Sequence, residues 1–144
     1  MQGYSIQKLS VGQYACFTKT ITEHDVYTFA GVTGDLNPAH INEIYARNTR
    51  FQGRIAHGML SAGLISAVIG MQLPGPGTIY LSQDVSFRAP VYIGDTITAV
   101  VTVQTLDPVK NRAELETICT NQKGQCVVKG KALVMPPMPA DESE

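Results

Sequence analysis

Two short stretches of the sequence carry groups suited to acid–base chemistry. In residues 33–40, Asp35 and His40 stand five positions apart across a turn that opens a helix. In residues 56–60, Gly58 stands at the start of an apolar helix, where backbone N–H groups lack partners within the helix. A carboxylate and an imidazole can move protons, and an unpaired N–H can stabilise a developing anion. Together these groups could add water to, or remove it from, an activated carbonyl compound.

His40 is predicted to lie in the first turn of its helix. Asn37 is a preferred N-cap residue, and Pro38 suits the first helical position because its missing N–H has no partner there. The positive end of the helix dipole disfavours a second positive charge on His40, and a neutral imidazole suits a general base. The spacing of apolar residues predicts a buried stripe on this helix: Ile41, Ile44 and Tyr45.

Each of these residues also has a simpler interpretation. Asp35 could brace the turn while His40 is merely exposed, and Gly58 could serve close packing next to a buried, hydrogen-bonded His57. Asp35, His40 and His57 could also bind a metal ion. A structural zinc site usually has four ligands including cysteine, and no cysteine is near these three in the sequence. No metal is therefore predicted.

Other motifs indicate no further site. No serine lies in a G-x-S-x-G elbow, and neither G-x-G-x-x-G nor a P-loop is present. Covalent acyl transfer and the binding of NAD or ATP are therefore not predicted. Three arginines in the connection before Gly58 could contact the phosphates of a nucleotide-like handle, but we expect them to be solvated: Arg47, Arg50 and Arg54.

The pattern of elements around these stretches predicts an α+β domain. A strand at residues 13–21 precedes a helix that begins at Thr22. Residues 57–71 are apolar or small on every side, which is typical of a helix enclosed by other structure. We predict a single domain over residues 1–135 and a disordered, Pro-rich and acidic tail over 136–144. Four later segments alternate like antiparallel strands: 78–88, 95–106, 112–121 and 125–135.

Composition narrows the function classes. The 144 residues carry a formal net charge of −1 and no dense run of Lys or Arg, so neither nucleic acid nor membrane is a predicted partner. Charged residues make up only 16% of the chain, which suggests that part of the surface is covered in a subunit contact. Three cysteines without C-x-x-C spacing, and no recognisable signal peptide, predict a soluble, cytoplasmic protein with reduced thiols.

The motif-bearing stretches FAGVTGDLNPAH (29–40) and AHGML (56–60) are followed by LPGPGTIYL (73–81) and VSFRAPV (85–91). In these segments the sequence resembles the R-specific enoyl-CoA hydratases of the MaoC-like family. The resemblance extends from Val11 to Val134. Its most specific part is the Gly-Asp-x-Asn-Pro-x-His motif.

This resemblance implies a hot-dog fold, in which an antiparallel sheet wraps a long central helix, and a homodimer or higher homo-oligomer. The implied reaction is the reversible hydration of trans-2-enoyl-CoA to (R)-3-hydroxyacyl-CoA without a cofactor, because coenzyme A is part of the substrate. Asp35 and His40 match the family's catalytic pair, and Gly58 matches its oxyanion-hole amide. We expect Asn37 and His57 to bind substrate. The alternatives are a related hot-dog acyl-CoA thioesterase and a non-catalytic acyl-CoA-binding module.

Overall fold

The computed structural model describes residues 1–140, which form one antiparallel sheet and four α-helices. The strands are β1 (Tyr14–Thr20), β2 (Ile79–Phe87), β3 (Thr96–Asp107), β4 (Arg112–Thr120) and β5 (Cys126–Met135). The helices are α1 (Glu23–Thr33), α2 (Pro38–Ile41), α3 (Glu43–Arg47) and α4 (Gly58–Met71), and a 3₁₀ turn covers Ile6–Lys8. The strand order β1-β3-β4-β5-β2 puts β1 and β2 at the two edges of the sheet.

Helix α4 lies against the sheet and contacts all five strands. Burial of each large apolar side chain on this helix contributes ~1.5–3 kcal/mol to folding. The predicted enclosure on every side is wrong, because the sheet covers one side only and Gly63, Ser66 and Gly70 on the other side are exposed. The side chains that face the sheet belong to the main core cluster: Leu64, Ile65, Val68 and Ile69.

The two ends of α1 are set by local signals. The Thr22 side chain accepts a hydrogen bond from the Asp25 N–H, and the Asp25 carboxylate accepts one from the Thr22 N–H, so the two residues form a capping box at the predicted helix start. At the other end, Gly34 adopts a left-handed conformation with φ of 82°. Glycine has no Cβ to oppose this conformation, so the helix ends there and the chain turns sharply into Asp35.

The single helix predicted after Asn37 is two short helices, α2 and α3. Asn42 ends α2 and caps α3, and its φ of −114° and ψ of 104° interrupt the helical period. The predicted buried stripe is therefore wrong, since Ile44 is 78% exposed and Tyr45 is 50% exposed. Ala46 is the buried residue of α3 instead.

The chain after β5 continues along the domain surface. Pro136 and Pro137, which were predicted to begin a disordered tail, are buried, and the Pro136 carbonyl accepts a hydrogen bond from Asn111 Nδ2 at 2.9 Å. Residues 141–144 of the predicted tail lie outside the described residues, so the domain boundary stays a prediction. Within residues 1–140, no helix combines the length and the apolarity needed to cross a bilayer.

Candidate active site

A cavity of about 400 Å³ opens between the first turn of α4, the α1–α2 connection and the end of β2. Asp35, His40, His57 and Gly58 all line it, so four of the five residues predicted for the site converge there. These residues come from separate segments, and the fold brings them together by packing α2 and its flanking loops against the start of α4. The cavity is the candidate active site.

His40 is held with one ring nitrogen free for chemistry. Its Nδ1 lies 2.6 Å from the Ile55 carbonyl oxygen, which can only accept a hydrogen bond. Nδ1 therefore carries the proton, and Nε2 of the neutral ring keeps a lone pair. The backbone around Ile55 is itself fixed, because its N–H donates to the Ala39 carbonyl at 3.2 Å. A positioned imidazole with a free lone pair is suited to act as a general base.

Asp35 projects from the turn that follows α1. Its N–H donates to Thr33 Oγ1 at 3.2 Å, and its Oδ1 accepts from the Asn37 N–H at 3.3 Å. The carboxylate and the ring nitrogens of His40 and His57 contribute one atom each to a cluster whose members lie within 4.8 Å of one another. Polar atoms this close together can contact the same bound water molecule. The same spacing could accommodate a metal ion, so the absence of a metal stays a prediction.

His57 is buried behind His40 and braces the Asp35 turn. Its Nε2–H donates to the Asp35 backbone carbonyl at 2.9 Å, and its ring stacks on that of His40 with 3.8 Å between centroids. Phe29 packs on the same ring, with 4.7 Å between centroids. Nδ1 of His57 is buried without a hydrogen-bond partner among the described residues. These contacts support a role for His57 in positioning Asp35 and His40 more directly than they support its predicted contact with substrate.

Gly58 occupies the first position of α4, against an aromatic ring of β2. A Cβ on this residue would lie 2.6 Å from two ring carbons of Phe87, so no larger residue fits without a shift of that ring. The Leu60 N–H already donates to the His57 carbonyl at 3.0 Å. The Gly58 N–H has no acceptor within the described residues. Gly58 therefore both packs closely against Phe87 and has a backbone N–H that is available to a ligand.

Asn37 is placed differently from the prediction. Its side-chain oxygen accepts a hydrogen bond from the Ala39 N–H at 3.0 Å and caps α2. Asn37 does not line the cavity, so the structure supports an indirect role. The cap holds the short helix that carries His40, because an uncapped four-residue helix has few hydrogen bonds of its own.

The three arginines expected to be solvated have different environments. Arg54 is largely buried and joins α1 to α3, with ion pairs of 2.7 Å to both Glu23 and Glu43. Its guanidinium lowers the pKa of both carboxyl groups below the ordinary value. Arg47 is exposed and pairs with Glu43, as expected for a surface residue. Arg50 lines the cavity.

Two further residues of the cavity wall were not predicted to belong to the site. Arg88, at the end of β2, lines the cavity beside Arg50. Ser61, one turn into α4, is a fully buried polar residue on the cavity wall. The three-residue spacing from Gly58 is the sequence signal that could have indicated Ser61, because it puts both residues on one helix face.

The MaoC like domain model matches residues 10–123 of the chain. The chain is 55% identical to an (R)-specific enoyl-CoA hydratase of Rhodospirillum rubrum, over 91% of this chain and 90% of that protein. It is 47% identical to a 3-hydroxybutyryl-CoA dehydratase of Methylorubrum extorquens, over 91% and 83% of the two chains. An unliganded R-hydratase, PhaJ1 of Pseudomonas aeruginosa, superposes with a TM-score of 0.91 and 47% identity, over 96% and 88%. The predicted α+β hot-dog fold is confirmed, and the chain belongs to the MaoC-like family.

Proposed function

We propose that the protein catalyses the reversible hydration of trans-2-enoyl-CoA to (R)-3-hydroxyacyl-CoA, a hydro-lyase reaction. The observation that carries this proposal is the convergence of a carboxylate and an imidazole beside an unpaired backbone N–H in one cavity. The similarity to named hydratases and a dehydratase supports the same reaction class.

The mechanism begins with the thioester carbonyl. The Gly58 N–H donates a hydrogen bond to the thioester oxygen and draws electron density from the C=C bond. Water held by Asp35 and His40 then attacks the β-carbon, and His40 Nε2 takes the proton that the water loses. The Asp35–His40 pair returns a proton to the α-carbon, so that H and OH add across the double bond. General acid–base assistance of this kind contributes roughly 10²–10⁴ in rate.

Two neighbouring residues hold Asp35 and His40 in position. His57 fixes the Asp35 turn through the Asp35 carbonyl, and Asn37 caps the helix that carries His40. The proposed reaction requires no cofactor, because addition of water is neither a net oxidation nor a net reduction and leaves the acyl group bound to coenzyme A.

The direct test is loss of the enoyl-thioester absorbance of crotonyl-CoA, followed by chiral analysis of the product. We expect hydration to the R product, with unchanged activity after treatment with EDTA. Release of free thiol without hydration would instead indicate a thioesterase, and binding without reaction would indicate an acyl-CoA-binding module. Either of these two results would refute the hydratase proposal.

Coenzyme A as the acyl carrier is supported by two arginines in the cavity wall. Arg50 and Arg88 line the cavity, and neither forms a salt bridge with a carboxylate among residues 1–140. Arg88 Nε donates to Ser86 Oγ at 2.8 Å, and the Arg50 guanidinium lies 5.5 Å from the Phe51 ring centroid. Both side chains keep N–H groups available for phosphate oxygens, which guanidinium groups bind in a bidentate manner.

Replacement of Arg50 or Arg88 by alanine is expected to raise KM for crotonyl-CoA by about 10-fold, since a charge-assisted hydrogen bond is worth roughly 1.5 kcal/mol. The matched substrate is crotonyl-pantetheine, which lacks the phosphates, and its KM should not change. Arg47→Ala is the control variant, because Arg47 is exposed, pairs with Glu43 and does not line the cavity. An equal rise in KM for both substrates would show that these arginines do not bind the phosphates of coenzyme A.

A homodimer or higher homo-oligomer is supported by the edge strand β2. In the described chain, β2 pairs only with β5 and leaves its other edge open. Three large apolar residues of this strand are exposed, and such an edge tends to pair with another chain: Ile79, Leu81 and Phe87. Light scattering coupled to gel filtration measures the assembly, and a monomeric mass would refute it. The cytoplasmic location stays a prediction.

A further inference from the structure

Ser61 carries a buried hydroxyl that the residues around it leave unpaired. The residue is fully buried, lines the candidate active site, and its Oγ has no hydrogen-bond partner among the described residues. Leaving a buried hydroxyl unpaired costs ~1–3 kcal/mol, so the group calls for a partner that the protein chain itself does not provide. A substrate bound in the cavity could supply that partner once the cavity wall adjusts, because Ser61 lines the cavity but is fully buried in this structure.

The backbone of Ser61 is held in place by the sheet. Cys119 of β4 lies behind α4, with its Sγ 3.6 Å from the Ser61 carbonyl oxygen. Burial raises the pKa of the Cys119 thiol to about 12, with a smaller contribution from Cys126, so at neutral pH it is a thiol able to donate to that carbonyl. Ser61 is therefore fixed on the cavity wall by a buried contact.

Helix geometry directs this hydroxyl toward the first turn of α4. Ser61 follows Gly58 by three positions, so the two residues share a helix face. Side chains on a helix lean toward its N-terminus, and a side chain covers the turn that precedes its own Cα. From this geometry we expect the Ser61 hydroxyl to lie toward the turn in which the Gly58 N–H is unpaired.

We propose that Ser61 is a second oxyanion donor, whose Oγ–H binds the enoyl thioester oxygen beside the Gly58 N–H. This inference rests on the hydratase function proposed above and adds a catalytic residue to it. Negative charge grows on the thioester oxygen as water attacks, and two preorganised donors stabilise that charge better than one. In the neutral ring the unpaired His57 Nδ1, four positions before Ser61, accepts rather than donates, because Nε2–H donates to the Asp35 carbonyl. It therefore cannot fill the same role.

Kinetics of Ser61→Ala provide the first test. We expect kcat for crotonyl-CoA to fall by about 10²-fold with little change in KM, because the lost interaction strengthens in the transition state. Ser61→Cys, which keeps the size of the side chain but donates weakly, should give an intermediate kcat. Ser66→Ala, on the exposed side of the same helix, is the matched control. The melting temperature of Ser61→Ala should not fall, because an unpaired hydroxyl contributes no hydrogen bond to the fold.

Infrared spectroscopy of bound crotonyl-CoA, labelled with carbon-13 at the carbonyl, provides the second test. In a His40→Gln background, which retains the unreacted substrate, Ser61→Ala should move the carbonyl band to higher frequency. An unshifted band, or an unchanged kcat in Ser61→Ala, would overturn the proposed donor. Because the infrared test requires binding alone, wild-type protein that binds crotonyl-CoA without hydrating it would refute the hydratase function separately.

Discussion

Replacing His40 with glutamine is expected to lower kcat for crotonyl-CoA hydration by about 10³-fold, and Asp35→Asn by a similar factor. Glutamine can still donate toward the Ile55 carbonyl, but it cannot accept the proton that water loses. Asparagine can still accept the hydrogen bond from the Asn37 N–H, but it carries no negative charge. Both changes therefore remove proton transfer while they keep the local contacts. Initial rates and single-turnover kinetics measure the loss.

Two matched variants control for effects of the substitutions themselves. His24→Gln changes an exposed histidine of α1 that does not line the cavity. Asp107→Asn changes an aspartate whose Oδ1 accepts from the Lys110 N–H at 3.1 Å, a turn contact like that of Asp35. Both controls should retain wild-type rates. If either His40→Gln or Asp35→Asn retained a wild-type kcat, that residue would not take part in proton transfer.

Deleting the backbone N–H of Gly58 is expected to lower kcat by about 10²–10³-fold, the usual cost of one oxyanion donor. Proline is the substitution that removes this N–H, and it is well accommodated at the first position of a helix. His57, which precedes it, has φ of −61° and ψ of 135°, a conformation compatible with a following proline. The local backbone can therefore accept Gly58→Pro without losing the start of α4.

The steric effect of the added proline ring must be distinguished from the effect of losing the Gly58 N–H. Any Cβ at position 58 meets the Phe87 ring, so both variants are made in a Phe87→Ala background that provides the space. Gly58→Ala in that background keeps the N–H and adds the Cβ, whereas Gly58→Pro removes the N–H. The ratio of their kcat values isolates the donor. Equal kcat values in the two double variants would contradict the oxyanion role of Gly58.

The arrangement couples the stability of the fold to the geometry of the site. Helix α1 ends at Gly34 and delivers Asp35, and the buried His57 at the start of α4 holds the Asp35 carbonyl and stacks on His40. A ring locked by stacking and by a hydrogen bond loses little freedom when substrate binds. Proton transfer from water can therefore begin from a geometry that is largely prearranged.

Local signals in the sequence determined much of this arrangement. The capping box at Thr22, the left-handed Gly34 and the Asn37-Pro38 start each act through neighbours within a few residues, so they can be identified without a fold. Alternation of apolar and polar residues predicted the strands, and a continuous stretch of apolar and small residues predicted α4. Asp35 and His40 are only five positions apart, so their spacing could indicate acid–base chemistry without a fold. The resemblance to the MaoC-like family indicated the class of substrate.

Only the tertiary structure decided which groups are buried together. His40 donates to Ile55, 15 positions away, and Gly58 meets Phe87 of the distant strand β2. The predictions of a buried stripe at Ile44 and Tyr45 and of a solvated Arg54 were wrong, because burial depends on what packs against a residue and not on its spacing alone. The unpaired state of the Ser61 hydroxyl likewise could not be predicted from the sequence. Its lack of a partner is a property of every group around it, and those groups come from segments that meet only in the folded protein.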